Sequence, residues 1–352
     1  MKLRIAQVAP LHERVPPRRY GGTERVVSYL TEELVRLGHD VTLFASGDSQ
    51  TSATLVACSD SGLREDGFRD TMPAHLAMID EVARRARAFD LVHFHLDYLH
   101  FLVSARESYN HVTTLHGRLD IPDIVPIYSR FPDMPLVSIS HAQREPLPSM
   151  WWLETVHHGL PLDLYRIAPE RGSYLAFIGR IAPEKRLDRA IEIAARAGVP
   201  LRVAAKIARD DLDYYNDKIK PLMKQPHVEF LGEISDADKQ DFLGGAAALV
   251  FPIDWPEPFG LVMIEAMACG TPVVAYRGGS VEEVIDEGVT GFVRDDIEGA
   301  VEAVGRCTTL SRAACRARFE ERFSVSRMAE QYVAAYRRLL EHSHAAQEHA
   351  AS

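Results

Sequence analysis

The chain has 352 residues, 46% of them hydrophobic, which suits two domains of ordinary size, each able to bury its own core. Its formal net charge is −10, and the acidic excess is shared by both halves, so neither offers the basic surface that nucleic acid requires. No apolar run approaches the roughly 20 residues of a membrane-spanning helix.

The opening segment MKLRIAQVAP lacks the long apolar stretch of a secretory leader. Cys58, Cys269, Cys307 and Cys315 show neither C-x-x-C pairing nor a metal-ligand spacing, so the expected compartment is the reducing cytoplasm. LRIAQVAP reads as a first strand that breaks at Pro10 into a Pro-rich loop over residues 11–20. Gly21 and Gly22 follow, then a helix from about Thr23, whose Val26, Val27, Leu30, Leu34 and Leu37 are spaced for one buried face. The helix stops at Gly38, and DVTLFAS completes a strand-helix-strand unit. Two glycines before a helix let the backbone approach a phosphate closely, although a plain helix-entry turn has the same pattern. The long loop after the strand and the absence of a third glycine argue against a dinucleotide fingerprint.

Further strands are expected at LVHFH, HVTTLH and PLVSIS. In DLVHFHLD, His93 and His95 alternate and so face one side of a strand; with Asp97 they read either as a metal comb or as structural and substrate-positioning groups. His116 ends the next strand before Gly117, which puts an imidazole at the strand end. Ser138 and Ser140 offer hydroxyls at another strand end or simply make a turn. Arg84, Arg85 and Arg87 form a small basic run, either a solvated helix face or a weak peripheral contact with anionic lipid.

The pattern restarts after residue 172, with strands at YLAFIG, LRVAA, VEFLGE, ALVFP and TPVVAY and a helix over Leu187–Ala197. In FIGRIAPEKRLDRAI, Arg180 follows Gly179 and Lys185 comes five residues later, a planar fork and a mobile point charge suited to two phosphates. Lys206 either adds a third cation or faces solvent, and Asp210, Asp211 and Asp213 suit a metal less well than a helix start. Residues 255–275, WPEPFGLVMIEAMACGTPVVA, carry the strongest signal. A Pro-bracketed Glu257 and a Phe259-Gly260 turn enter a helix at about Gly260, so free backbone N–H groups point back to the loop as a seat for phosphate. Glu265 lies within the first two turns. Carboxylates beside an anion seat imply a ligand rich in hydroxyls, which donate to them.

The Glu-x7-Glu segment resembles the donor-binding signature of the retaining glycosyltransferases of family 4, nearly residue for residue. The resemblance implies an α/β protein of the GT-B fold, two Rossmann-like doubly wound domains facing across a cleft. The expected organisation is an acceptor-binding domain over residues 1–160 and a nucleotide-sugar-binding domain over 161–325. Residues 326–342 are expected to form a helix packing across the domains, and 343–352 a disordered tail. Carried onto this chain, the resemblance makes His116, Arg180, Lys185 and Glu257 the catalytic set. It places the donor on Gly21, Gly22, Arg180, Lys185, Gly232, Glu233, Ile234, Glu257, Phe259, Gly260, Leu261 and Glu265. His116 then bonds a hydroxyl of the transferred sugar, Glu257 holds sugar hydroxyls, Glu265 the ribose, and residues 232–234 the base. His93 and His95 match a D-x-x-H-x-H strand that works without metal.

The activity implied is retaining transfer of a hexose from a UDP- or GDP-sugar to a hydroxyl acceptor such as a glycan, a lipid-linked sugar or a small metabolite. The nucleotide diphosphate sugar is a co-substrate; no tightly bound cofactor and no metal are expected. No carboxylate nucleophile stands out on the acceptor side, which favours a same-face substitution in which the leaving phosphate oxygen takes the acceptor proton. A nucleotide-sugar isomerase or phosphorylase of the same fold, which would need an acid pair or a cofactor lysine, and a non-catalytic nucleotide-sugar-binding protein are the rival readings.

Overall fold

The computed structural model describes residues 2–18, 21–64, 66–168 and 172–351, with the backbone alone for 346–351. Residues 19–20 of the first loop and residues 169–171 lie outside the described residues. The chain divides into two units, Met1–Gly159 with Val325–Ser352, and Leu160–Ser324.

In the first unit, β1 (Arg4–Val8), β2 (Asp40–Ser46), β3 (Thr54–Ser59), β4 (Leu91–Phe94), β5 (His111–Thr114), β6 (Leu136–Ser138) and β7 (Trp152–Thr155) form one sheet in the order β3-β2-β1-β4-β5-β6-β7. Every pairing is parallel. The central strands are apolar on both faces because helices cover both; Ile5, Ala6 and Val8 have no exposure. The first helix, Gly22–Arg36, buries Val26, Val27, Leu30 and Leu34 and ends before Gly38, whose φ of 87° suits the turn into β2.

The second unit repeats the design with β8 (Tyr174–Arg180), β9 (Leu201–Lys206), β10 (Val228–Gly232), β11 (Ala246–Phe251), β12 (Val273–Tyr276) and β13 (Gly291–Arg294). Their order is β10-β9-β8-β11-β12-β13, again all parallel. Leu175, Phe177, Leu201, Val203, Ala248 and Val250 meet Ile191 and Ala194 of the helix Leu187–Ala197 in its core. Both sheets are doubly wound α/β, as expected. Strands β3, β7 and β13 lack a counterpart in the sequence reading, and each is a sheet edge. β7 (WLET) and β13 (GFVR) are four residues long and carry no long apolar run to mark them, whereas β3 holds the apolar run Leu55–Cys58.

The chain enters the second unit at Leu160 and leaves it at Ser324, and these two residues are paired by a parallel bridge, with Leu160 N–H donating to Phe323 O at 2.9 Å. The last helix then belongs to the first unit, where it buries Tyr332 and Tyr336. It runs over Val325–Ala351, a helix where residues 343–352 were expected to be a disordered tail; Ser352 lies outside the described residues. HSHAAQEHAA is rich in alanine and other good helix formers, and extending a helix already nucleated by packing is cheap.

Candidate active site

Open parallel sheets bind ligands beyond the carboxyl ends of their strands, where the strand order reverses direction. In the second unit that point lies between β8 and β11. β8 ends in Arg180, and the turn Pro183–Lys185 follows. β11 runs into the loop carrying Trp255, Glu257 and Gly260.

The two loops are joined. Lys185 Nζ donates to Glu257 Oε2 at 2.5 Å, and Trp255 Nε1 donates to the same oxygen at 2.9 Å. The ammonium also lies 4.5 Å from the Trp255 ring centroid, a cation–π contact. Arg186, in the left-handed region at φ 53°, is held there by Asp188 and Asp254, and Arg189 donates to the Ile253 carbonyl. Arg180 bonds Glu184 at 2.5 Å and lies 3.3 Å from Asp211. Glu184 and Lys185, neighbours in one turn, therefore bind Arg180 and Glu257 respectively. The β8–β9 register sets Lys206 opposite Arg180, so the third cation stands at the same strand end. Asp211 is a partner of Arg180, and among the described residues no group of three or more His, Cys, Asp or Glu is arranged for a metal ion.

The acidic loop is clamped from behind. Ser280 donates from N to Glu257 O at 2.9 Å and from Oγ to Phe259 O at 2.8 Å. A Cβ on Gly279 would stand 2.2 Å from Glu257 O, so only glycine lets these backbones approach. Phe259 is buried, and Gly260 has φ 80° as the residue before the helix Leu261–Ala268; a Cβ there would reach within 2.7 Å of Met263 Cε. Arg316 and Arg312 close the other end of this helix by donating to the carbonyls of Ala268 and Cys269.

Glu265, 3% exposed, turns to another partner set: Lys239 Nζ at 2.8 Å and Tyr165 OH at 3.4 Å. Lys239 belongs to the helix Asp236–Gly244, whose N-terminus is fixed by a Ser235–Asp238 capping box. That helix follows directly on Gly232, at φ 74°, exposed Glu233 and half-buried Ile234. One helix thus links the β10 loop to Glu265.

Gly21, Gly22 and His116 lie in the first unit. Gly21 precedes the first helix; a Cβ on it would stand 2.8 Å from Pro17 and 3.2 Å from Glu24 Oε2. Burial raises the Glu24 carboxyl to about 7. His116 Nε2 lies 2.8 Å from His95 Nδ1, and its ring stacks on His158 at 5.3 Å. His93 bonds Tyr336 OH and Thr114 Oγ1, each at 2.7 Å. Desolvation keeps these imidazoles neutral, lowering His116 to about 3 and His93, His95 and His158 well below the usual value. Asp97, raised to about 6 by burial, accepts the His116 backbone N–H, which acts the other way. Gln143 secures the His116 backbone from both sides, donating to Leu115 O at 3.0 Å and Gly117 O at 2.7 Å. Ser138 bonds Thr155, and Ser140 caps the turn His141–Arg144, so both serines act structurally. Arg84 and Arg85 pair with Asp80 and Glu81 on an exposed helix face.

Sequence reading missed Trp255, Lys239, Gln143, Gln7, Tyr332 and Tyr336. Gln7 was detectable as a polar residue set between Ala6 and Val8 inside the first strand; the others gave no local signal.

The family described as Glycosyltransferase Family 4 matches residues 20–176, and that described as Glycosyl transferases group 1 matches residues 167–309. The chain belongs to the glycosyltransferases of family 4. A D-inositol 3-phosphate glycosyltransferase of Mycobacterium tuberculosis is 30% identical over 214 residues, 53% of this family 4 chain and 44% of that protein, so the chain spans a little under half the length of the curated relatives it matches. Solved structures similar to it include a glycosyltransferase involved in avilamycin A biosynthesis, at TM-score 0.75 and 23% identity over 96% of this chain and 98% of that one. A sucrose-phosphate synthase of Thermosynechococcus elongatus superposes at TM-score 0.76 with 18% identity, over 97% and 100% of the two chains. Anabaena HepE, solved with UDP and glucose, does so at 0.70 with 18% identity, over 94% and 98%. The fold of this family 4 chain is therefore GT-B, two Rossmann-like domains.

Proposed function

We propose that the protein is a retaining glycosyltransferase that moves a hexose from a UDP- or GDP-sugar to a hydroxyl acceptor, without a metal ion. The observation that carries this reading is the Lys185–Glu257 pair at the β8–β11 reversal, a cation and a carboxylate joined at the mouth of a helix N-terminus. A sugar diphosphate needs both: cations and free N–H groups for its phosphates, and a carboxylate acceptor for its hydroxyls. The UDP held by Anabaena HepE supports a nucleotide donor of this class.

Breaking the anomeric C–O bond places growing negative charge on the leaving diphosphate. Arg180, Lys185 and the backbone at Gly260 and Leu261 stabilise that charge, and the Gly21–Gly22 backbone serves the same diphosphate. Glu257, fixed through Oε2 by Lys185 and Trp255, keeps Oε1 for sugar hydroxyls. Phe259 packs the loop, and Glu265, oriented by Lys239, accepts from the ribose. Gly232, Glu233 and Ile234 meet the base, and His116 meets a hydroxyl of the transferred sugar. The leaving phosphate oxygen accepts the acceptor proton as the new bond forms on the same face, giving retention.

Nucleotide release measured over a panel of UDP- and GDP-sugars, with and without candidate acceptors, tests this. Acceptor-dependent release with an α-linked product from an α-linked donor is expected. Binding without turnover for any acceptor would favour a nucleotide-sugar-binding protein, and product of inverted configuration would overturn retention.

A further inference from the structure

A line of buried polar side chains runs through the first unit from the last helix to His116, and its hydrogen bonds have a direction. Gln7, with no exposure, sits at its centre: its Oε1 lies 2.8 Å from His95 Nε2, and its Nε2 donates to Tyr336 OH at 3.3 Å. An amide oxygen can only accept, so the proton between Gln7 and His95 is on His95 Nε2. A neutral imidazole carries one N–H, which leaves His95 Nδ1 as a lone pair. The 2.8 Å contact from His95 Nδ1 to His116 Nε2 then requires the proton on His116 Nε2. The remaining nitrogen, His116 Nδ1, is buried and has no hydrogen-bond partner among the described residues. On the other side of Gln7, Tyr336 receives from the amide, and the acceptor within reach of its own buried O–H is His93 Nδ1 at 2.7 Å; satisfying that hydroxyl puts the His93 proton on Nε2, toward Thr114 Oγ1 at 2.7 Å, which itself lies 3.0 Å from Tyr332 OH.

We infer that Gln7, acting through His95, is a positioning residue that holds His116 in its Nε2–H tautomer and thereby presents a lone pair at Nδ1 to a hydroxyl of the bound sugar. The identity of that hydroxyl rests on the proposed glycosyl transfer; the tautomer does not. A lone pair accepts from a hydroxyl and opposes a carboxylate oxygen, which also only accepts. The arrangement therefore selects a sugar with a hydroxyl at this point over the corresponding uronate. The polarity is set from a distance, since Tyr336 and Gln7 are joined across 329 positions of the chain.

Long-range nitrogen–proton correlation on the full chain labelled with nitrogen-15 histidine reads the tautomer directly, with His116 identified by the signals lost in His116→Gln. The expected spectrum shows His95 and His116 both as Nε2–H at about pH 7.5, where neutral imidazole dominates. Gln7→Glu, whose carboxylate accepts from both neighbours, is expected to keep His116 as Nε2–H while His93 switches to Nδ1–H. Gln7→Met removes the acceptor and is expected to bring in the Nδ1–H form of His116. A wild-type His116 protonated at Nδ1, or a folded Gln7→Met protein with His116 unchanged, overturns the relay. Adding a UDP-hexose is expected to move the His116 Nδ1 resonance upfield, and the matching UDP-hexuronate to bind at least tenfold more weakly. If the tautomer is as expected but saturating donor leaves Nδ1 unmoved, the relay stands and the sugar-hydroxyl assignment of His116 falls.

Discussion

Lys185 and Glu257, 72 positions apart in the chain, meet at 2.5 Å where β8 and β11 run side by side. Neither charge is wholly in water, with side-chain exposures of 21% and 10%. Lys185→Ala leaves Glu257 with Trp255 as its remaining donor and takes a cation from the proposed diphosphate seat. Transfer is expected to fall by about 100-fold or more, at a stability cost of about 1–3 kcal/mol. Nucleotide release and thermal unfolding of the same preparation check both, and full activity with a nucleotide sugar would remove Lys185 from the donor site.

Glu265 has a different task. In Glu265→Ala the Lys239 ammonium loses its buried partner and the ribose its proposed acceptor, so nucleotide affinity is expected to drop about tenfold or more. Calorimetric titration with UDP and GDP measures this directly. Because the interaction is proposed for the nucleotide and not for the reacting carbon, Kd should change more than the rate at saturating donor; the reverse pattern would reassign the residue.

Stability is expected to fall as pH drops from about 7 to about 5. His93, His95, His100 and His158 lie well below their usual value through burial, with His12 at about 4 and His116 at about 3. For each, the unfolded chain takes up the proton first. The stability it contributes is complete above about pH 6.5 and is lost as pH falls toward the folded value, by about 2 kcal/mol per strongly shifted histidine between about pH 6.5 and 5. Glu24 at about 7 and Asp97 at about 6 oppose this, since a raised carboxyl takes its proton in the folded state first. The histidines outnumber them. Urea midpoints at about pH 7, 6 and 5 check the direction, and an unchanged or rising midpoint contradicts it.

Arg312 anchors the second unit rather than its chemistry. Its guanidinium donates to the carbonyls of Ala168, Gly244, Ala246 and Cys269 and to Thr271 Oγ1. Arg312→Ala leaves these acceptors without that donor and is expected to cost about 3 kcal/mol, read as a lower unfolding temperature. Arg312→Lys recovers little, because an ammonium cannot span the fork of acceptors.

The sequence carried much of this architecture in local form. Apolar runs marked the interior strands, the spacing of Val26, Leu30 and Leu34 marked the first helix, and the Pro-bracketed Glu257 before Gly260 marked the proposed donor loop. The short edges β7 and β13 left no such mark, whereas β3 carries the apolar run Leu55–Cys58 without a strand being expected there. The C-terminal end differs from its expectation too. Residues 343–351 look polar and solvated, yet they extend a helix whose nucleation by Tyr332 and Tyr336 lies upstream.

What the sequence determined by itself was periodicity, turn chemistry and the residue types at strand ends, all set by neighbours a few positions away. Strand order was decided only in three dimensions, and with it the meeting of β8 and β11 that brings Lys185 to Glu257. The same holds for the direction of the Gln7–His95–His116 line and for the pairing of Lys239 with Glu265. A hydrogen bond joins atoms within about 3 Å regardless of how much chain separates them. Local sequence pattern specifies which groups are available to bond, and the packing of distant segments specifies which of them meet.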